Sequence, residues 1–142
     1  MAETPQNFQN HTRFDPLYHY FMVPLLMVNF FWCAANLIRN FNGPTVQAML
    51  LAIALVVLGL MARVNALRAQ DRVIRLEEQL RFERLGIGAK FDGLSVPQLV
   101  ALRFASDGEL GGLADQVKAG KLTGSKEIKA AIKNWRPDYV RV

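Results

Sequence analysis

The stretch TVQAMLLAIALVVLGLMARVNALRAQDRVIRLEEQL, residues 45–80, decides the fold. Its first part, residues 45–62, has no charged side chain, whereas the remainder is rich in arginine and glutamate. No proline occurs from Thr45 to Leu85, so we expect one uninterrupted helix. About 18 apolar residues suffice for a helix to cross the hydrocarbon core of a bilayer. The stretch therefore predicts a membrane span that continues into a polar helix.

A second apolar run, LYHYFMVPLLMVNFFWCAANLI at residues 17–38, is also long enough to span a bilayer. The intervening RNFNGP contains Gly43 and Pro44, which are typical of a turn followed by a helix start. We therefore predict a tight transmembrane hairpin. A cleaved signal peptide is disfavoured, because the run is too long and lacks a basic start. Pro24 cannot donate to the carbonyl of Tyr20 and predicts a kink in the first span.

Arginines predict the orientation of the hairpin. Arg63, Arg68, Arg72 and Arg75 follow the second span closely, whereas the loop between the spans carries only Arg39. Basic residues near the ends of spans concentrate on the cytoplasmic side. The segment after the second span is therefore expected in the cytoplasm, and two spans bring the N-terminus to the same side.

The rest of the chain predicts a small helical domain. After the glycine-rich GIGAKFDG, two capping boxes, Ser95 with Gln98 and Ser106 with Glu109, mark helix starts. A third helix is predicted after Thr123, with an apolar face that includes Trp135 and an end at Pro137. Such short helices must pack on each other or on the preceding long helix.

The predicted fold class is an all-α membrane protein. It is a two-helix transmembrane hairpin whose second helix extends into the cytoplasm, with a small C-terminal helical cap. The predicted parts are an N-terminal cytoplasmic segment (1–15), a transmembrane hairpin (16–62, with spans 17–38 and 45–62), a cytoplasmic helical stem (63–85) and a small helical cytoplasmic domain (86–142).

A heptad pattern runs along the second helix, because small or apolar residues recur at alternating steps of four and three. Small residues in its membrane part allow helices to approach closely, and Val and Leu beyond residue 70 suit a coiled coil in water. This surface, the helix-two seam, predicts association with other membrane-protein subunits or with a second copy. The helix-two seam comprises Ala48, Ala52, Leu55, Gly59, Ala62, Ala66, Ala69, Val73, Leu76 and Leu80.

A polar line along the first span contains His19, Asn29 and Asn36, joined at the same spacing by apolar residues and Cys33. Asparagine is costly against lipid, so this line is expected to face protein. We favour packing against the second span over a surface for another subunit or a channel. The second interpretation stays open, with Asn29 and Asn36 bonded to a neighbouring chain.

The stretch HTRFDPLYHYF, residues 11–21, raises the question of a metal site, because His11, Asp15 and His19 are four residues apart. Pro16 argues against it, since the residue before proline avoids helical geometry. We instead expect Asp15 to cap the helix that Pro16 begins. No metal, cofactor or catalytic residue is expected, with His19 kept as an alternative ligand of a haem or pigment magnesium, or a hydrogen-bond partner of a quinone.

A set of basic residues is predicted to lie near the anionic membrane surface, to which each contributes about 1 kcal/mol. Nucleic acid is the alternative partner, which we do not favour because no nucleic-acid-binding signature occurs and Trp135 falls on the apolar face. The basic set comprises Arg63, Arg68, Lys126, Lys129, Lys133 and Arg136.

Three motifs, NHTRFDPLYH (10–19), LRFASDGEL (102–110) and KEIKAAIKNWRPDYVRV (126–142), resemble those of a family of small bacterial membrane proteins classed as a domain of unknown function. The resemblance covers almost the whole chain and implies a two-span hairpin with a cytoplasmic helical tail. It also implies a bacterial source, and hence the inner membrane. It assigns no reaction, ligand or catalytic residue.

The expected function is that of a non-enzymatic accessory or scaffolding subunit of a membrane assembly. The alternative is a cofactor-binding or redox accessory subunit that uses His19 at the membrane boundary. A membrane-tethered enzyme is disfavoured, because no phosphate loop, metal-spaced cluster or nucleophile signature occurs.

Overall fold

A computed structural model of the protein describes residues 6–10 and 15–139. These residues are all-helical and form no strand, which confirms the all-α part of the predicted fold class. They divide into two compact units, one of residues 15–67 and the other of residues 6–10 and 68–139. The helices are α1 (Leu17–Arg39), α2 (Gly43–Arg84), α3 (Val96–Leu102), α4 (Asp107–Lys118) and α5 (Ser125–Ala131), with a 3₁₀ turn at Gly88–Lys90.

Helix α1 begins as the sequence predicts. The Asp15 carboxylate accepts hydrogen bonds from the backbone N–H groups of Leu17 and Tyr18, at 3.0 and 3.2 Å. Asp15 is thus a cap outside the helix. His11, which the sequence places four residues before Asp15 as a conceivable metal ligand, lies outside the described residues.

The opening turn of α1, Leu17–Met22, is π-helical, and Val23–Arg39 is α-helical. The Val23 N–H bonds to the carbonyl of Tyr18, five residues back. Pro24 explains this wider turn, because it has no N–H for the carbonyl of Tyr20 and the hydrogen-bond ladder must shift before it. The predicted kink is thus a local change in helix type.

The two apolar helices pack as an antiparallel pair within their unit. The Tyr18 hydroxyl donates to the carbonyl of Gly59 at 3.4 Å, and Ala52 is only 1% exposed. A Cβ atom added at Gly59 would lie 3.0 Å from Cδ1 of Leu26. Two residues of the helix-two seam, Ala52 and Gly59, therefore lie on the face that contacts α1.

The second unit has a core built on the last turns of α2. Phe82 is fully buried and packs with the buried faces of α3, α4 and α5. The expected packing of the short helices on each other and on the long helix is confirmed. The buried cluster comprises Phe82, Ala101, Leu102, Ala105, Leu110, Leu113, Ala114, Val117 and Ile128.

Both predicted capping boxes are present. Gln98 accepts a hydrogen bond from the backbone N–H of Ser95 at 2.8 Å, and Glu109 does the same for Ser106 at 3.2 Å. Each box satisfies N–H groups that a helix start leaves without partners.

The predicted extension of α5 through Trp135 to Pro137 is wrong, because the helix ends at Ala131. The following residues are extended and pair with the connection between α3 and α4. Trp135 forms an antiparallel bridge with Ala105, and the Arg136 N–H bonds to the carbonyl of Phe104 at 2.7 Å. These bonds replace those that a longer helix would have made.

Candidate functional site

Arg81 is the centre of a buried polar cluster in the unit of residues 6–10 and 68–139. Its Nε and Nη2 lie 2.7 and 2.6 Å from Oδ1 of Asp107, and its Nη1 lies 3.3 Å from Oε2 of Glu78. It also donates to the carbonyls of Ala105 at 2.7 Å and Arg103 at 3.4 Å. One guanidinium therefore ties the end of α2 to the segment that leads into α4.

The pKa values of Glu78 and Asp107 shift in opposite directions, although Arg81 favours the ionised form of both. Burial raises the pKa of Glu78 above its usual 4.5, although Arg81 and Arg136 oppose the shift. The hydrogen bond from Arg81 lowers the pKa of the exposed Asp107 below 3.8. Arg136 approaches Glu78 from the C-terminal segment, with Nη1 3.6 Å from Oε1. The two carboxylates, Glu78 and Asp107, thus have arginine partners within the same unit.

Arg103 and the aromatic residues beside it form a second part of the cluster. The buried Arg103 guanidinium lies 4.6 Å from the ring centroid of Phe104, and its Nε lies 3.3 Å from the Asp138 carboxylate. Trp135 stacks on Phe104 with 4.7 Å between centroids, and the Lys129 ammonium lies 5.5 Å from the same ring. Lys129 was predicted to lie at the membrane surface and Trp135 on the apolar face of a helix, and both contact Phe104.

Gln6 belongs to this cluster although it is near the start of the chain. Its side-chain amide donates to the carbonyl of Asp138 at 3.1 Å, and its Oε1 accepts from the Asp138 N–H at 2.8 Å. Oε1 also accepts from the indole of Trp135 at 3.3 Å. Gln6 therefore joins residues 6–10 to the C-terminal segment.

Glu109 fixes the same segment from its other edge. Besides capping α4, its carboxylate accepts the backbone N–H groups of Lys133 at 3.1 Å and Asn134 at 3.0 Å. The Asn134 carbonyl in turn accepts from Ser106 at 3.0 Å. A capping residue thus also ends α5 early, because it holds residues 133 and 134 in a non-helical conformation.

A cleft of about 560 Å³ opens beside the cluster, between α2 and the C-terminal segment. Gln70 Oε1 is buried in its wall without a hydrogen-bond partner in the described part of the chain. Within residues 6–10 and 15–139, no group of histidine, cysteine and acidic residues has metal-binding geometry. The polar groups that line the cleft include Gln70, Glu78, Arg81, Arg103, Arg136 and Asp138.

His19, the predicted cofactor candidate, lies at the start of α1. Its Nδ1 is 2.9 Å from the carbonyl oxygen of Asp15, and its ring packs edge-on against Tyr18. The Arg63 guanidinium lies 5.6 Å from the centroid of the Tyr18 ring. Histidine, tyrosine and arginine thus lie together at one end of the helix pair.

The predicted polar line of α1 is only partly covered. Asn29 is exposed and accepts a contact from Cys33 Sγ at 3.9 Å, whereas Asn36 and His19 are half-buried. Packing on α2 alone therefore does not cover Asn29.

The structure divides the helix-two seam. Ala52 and Gly59 contact α1 and Ala66 is half-buried, while Ala62 and Ala69 are exposed. Val73, Leu76 and Leu80 are 52, 61 and 71% exposed. The buried face of α2 in the second unit instead contains Ile74, Glu78 and Phe82.

Three members of the buried cluster, Glu78, Arg81 and Arg103, were not predicted as site residues. Arg81 contacts Glu78 within its own helix. The only feature of the sequence that could have indicated their burial is that Glu78 and Arg81 lie near the apolar Ile74 and Phe82, and that Arg103 belongs to the LRFASDGEL motif. Of the predicted basic residues, Arg63 and Lys129 are half-buried and the other four are exposed, namely Arg68, Lys126, Lys133 and Arg136.

Comparison with known proteins identifies no activity. Residues 1–142 match a family described as "Family of unknown function (DUF6526)". No curated protein and no solved structure matches the chain.

Proposed function

The chain belongs to DUF6526, a family of unknown function, and we propose that it is a non-enzymatic integral membrane protein that serves as an accessory or scaffolding subunit. The observation that carries the proposal is the exposure of α1 and α2, both long and apolar enough to cross a bilayer. Large side chains such as Phe31, Trp32 and Leu58 are more than 60% exposed. Water disfavours such a continuous apolar surface, whereas lipid accommodates it.

The exposed Asn29 supports the accessory role. An asparagine in the middle of a span is costly against hydrocarbon chains, and a hydrogen bond from a neighbouring helix offsets that cost. The partners proposed are accordingly the lipid bilayer and other membrane-protein subunits. Nucleic acid is not among them.

The contacts of Gln6 support a two-span topology. Gln6 bonds to Asp138 and Trp135, so residues 6–10 and the C-terminal segment lie on one side of any bilayer. An even number of spans between them satisfies this requirement. Arg63, Arg68 and the other arginines after the second span favour the cytoplasm for that side by the positive-inside rule. We therefore propose the bacterial inner membrane, with both termini cytoplasmic.

The basic residues suit this arrangement. Arg63 and Arg68 follow the apolar part of α2, where the anionic inner leaflet attracts positive charge. Lys126, Lys133 and Arg136 are exposed on the cap and make its surface basic as well. The buried charged groups of α2 beneath the cap, Arg81 and Glu78, contact each other and favour a structural over a catalytic role.

Membrane fractionation of the full chain tests the proposal. We expect the protein to stay in the membrane pellet after extraction with alkaline carbonate and to float with lipid in a density gradient. Leu58→Asp, which adds a charge to the span at a cost of about 3 kcal/mol, should reduce insertion. The matched control Leu76→Asp, outside the apolar part of α2, should leave it unchanged. Release of the unmodified chain into the supernatant would refute the proposal.

One observation favours a cofactor-binding accessory as a second candidate. The Nδ1 of His19 lies against a backbone carbonyl, the arrangement that orients a ligating histidine through its other nitrogen. This function predicts a haem or pigment spectrum in the purified protein that disappears in His19→Ala. A colourless preparation with no redox-active quinone would rule it out.

A further inference from the structure

An apolar stripe along the second half of α2 has no partner in its own unit. We name it the stem stripe and define it as Ala69, Val73, Leu76 and Leu80. All four residues are exposed, and the last three are 52, 61 and 71% exposed. Steps of four, three and four residues keep them on one face.

The cap packs on a different face of the same helix. Ile74, Glu78 and Phe82 are buried there, at 4, 3 and 0% exposure. At about 100° per residue these side chains lie on the far side of α2 from Leu76. The cap therefore cannot cover the stem stripe.

The residues of the stem stripe favour a two-stranded parallel coiled coil. Val73 and Leu80 occupy a positions and Ala69 and Leu76 occupy d positions of a heptad. A β-branched residue at a followed by leucine at d, as in Val73 and Leu76, is the combination that favours two strands.

The flanking charges identify the partner. Arg72 occupies the g position and Glu77 the following e position, and both are exposed. In a parallel pair, the g residue of one helix meets the next e residue of the other. Two copies of this helix would thus form two Arg72–Glu77 pairs related by symmetry. An antiparallel pair that overlaps the whole stripe would instead set Arg72 against Gln79 and Glu77 against Gln70, and would form no ion pair.

We propose that the stem stripe binds a second copy of this chain as a parallel coiled-coil dimer, with Arg72 of each copy paired to Glu77 of the other. This inference rests on the proposed membrane function, because insertion in one orientation makes the two stems parallel. The stripe spans about 18 Å, too short for a stable soluble coiled coil. Confinement to one membrane supplies the effective concentration that so short a contact needs.

Cysteine cross-linking of the full chain in membranes tests the dimer. In a Cys33→Ala background, Val73→Cys and Leu76→Cys should each form a disulfide-linked species of twice the chain mass on mild oxidation. Two co-expressed copies with different tags should both be present in that species. Arg75→Cys, exposed on α2 but outside the stripe, is the matched control and should yield at least tenfold less.

Charge reversal tests the register. Arg72→Glu or Glu77→Arg alone should reduce cross-linking at Leu76→Cys about fivefold, because like charges then face each other. The double exchange should restore it. Equal yields at residues 73, 75 and 76, no effect of the single reversals, or a product with a different protein would overturn the dimer. A chain absent from the membrane fraction would instead refute the proposed function, so the two failures are distinguishable.

Discussion

The Arg81 guanidinium lies 2.7 Å from the Asp107 carboxylate and joins the last turns of α2 to the first turn of α4. The same side chain contacts Glu78 within its own helix. Because Arg81 is buried and contacts both Glu78 and Asp107, it links the cap to α2, the helix that carries the proposed second membrane span.

Arg81→Met should destabilise the cap by about 3–5 kcal/mol, because it leaves Glu78 buried without its closest positive partner. Arg84→Met is the control, since Arg84 is 70% exposed and 3.8 Å from Asp107, and should cost less than about 1 kcal/mol. The free energy of unfolding can be followed in detergent through Trp135 fluorescence in a Trp32→Phe background. Equal losses in the two variants would show that Arg81 is not the connecting residue.

The pH dependence of stability should differ between the two acids. The raised pKa of Glu78 means that the folded chain binds this proton more tightly, so its contribution to stability falls as pH rises above 4.5. The lowered pKa of Asp107 contributes stability above pH 3.8 that is lost on further acidification.

Two isosteric variants separate these contributions. Glu78→Gln should stabilise the cap at pH 7 and flatten the decline above pH 4.5. Asp107→Asn should destabilise it at pH 7 and flatten the loss below pH 3.8. Urea unfolding at a series of pH values measures both, and an unchanged pH profile in either variant would contradict the assignment.

Sequence patterns predicted the features that depend on local interactions. Asp15 was identified as a cap because Pro16 follows it, and both serine capping boxes follow from the spacing of their partners. The end of α5 was missed, because it depends on Glu109, more than twenty residues away, which binds the N–H groups of Lys133 and Asn134.

Gln6→Ala should destabilise the cap by about 1–3 kcal/mol, because it leaves the half-buried N–H of Asp138 and the indole of Trp135 without this acceptor. The emission of Trp135 should shift to longer wavelength as water reaches the ring. Gln9→Ala, at an exposed position of the same segment, should change neither. An unaltered spectrum and stability in Gln6→Ala would show that residues 6–10 do not dock on the cap.

Gly59→Leu should destabilise the helix pair by about 1–3 kcal/mol, because even a Cβ atom there would lie 3.0 Å from Leu26. Leu26→Ala should recover part of the loss in the double variant. Gly43→Leu is the control, as no atom lies within 4 Å of an added Cβ. Thermal unfolding followed through Trp32 in a Trp135→Phe background measures the effect, and identical behaviour of the two leucine variants would contradict the packing.

The buried ionic cluster shows where sequence reasoning fails for the candidate site. Glu78 and Arg81 are charged residues on a polar part of α2, which predicts exposure. They are buried only because α3 and α4 fold back over that face. The apolar seam was similarly predicted as one surface, but α1 contacts it at Gly59, whereas the cap packs on the face of Ile74, which is not part of the seam, and leaves Leu76 exposed.

The topology of the two spans tests the central claim most directly. In a Cys33→Ala background, single cysteines replace three exposed residues, Gln9, Phe41 and Lys121, and intact spheroplasts are treated with a membrane-impermeant maleimide. Phe41→Cys should react from outside, whereas Gln9→Cys and Lys121→Cys should react only after the membrane is permeabilised. Reaction of Gln9→Cys or Lys121→Cys in intact cells, or protection of Phe41→Cys, would contradict a two-span protein with both termini in the cytoplasm.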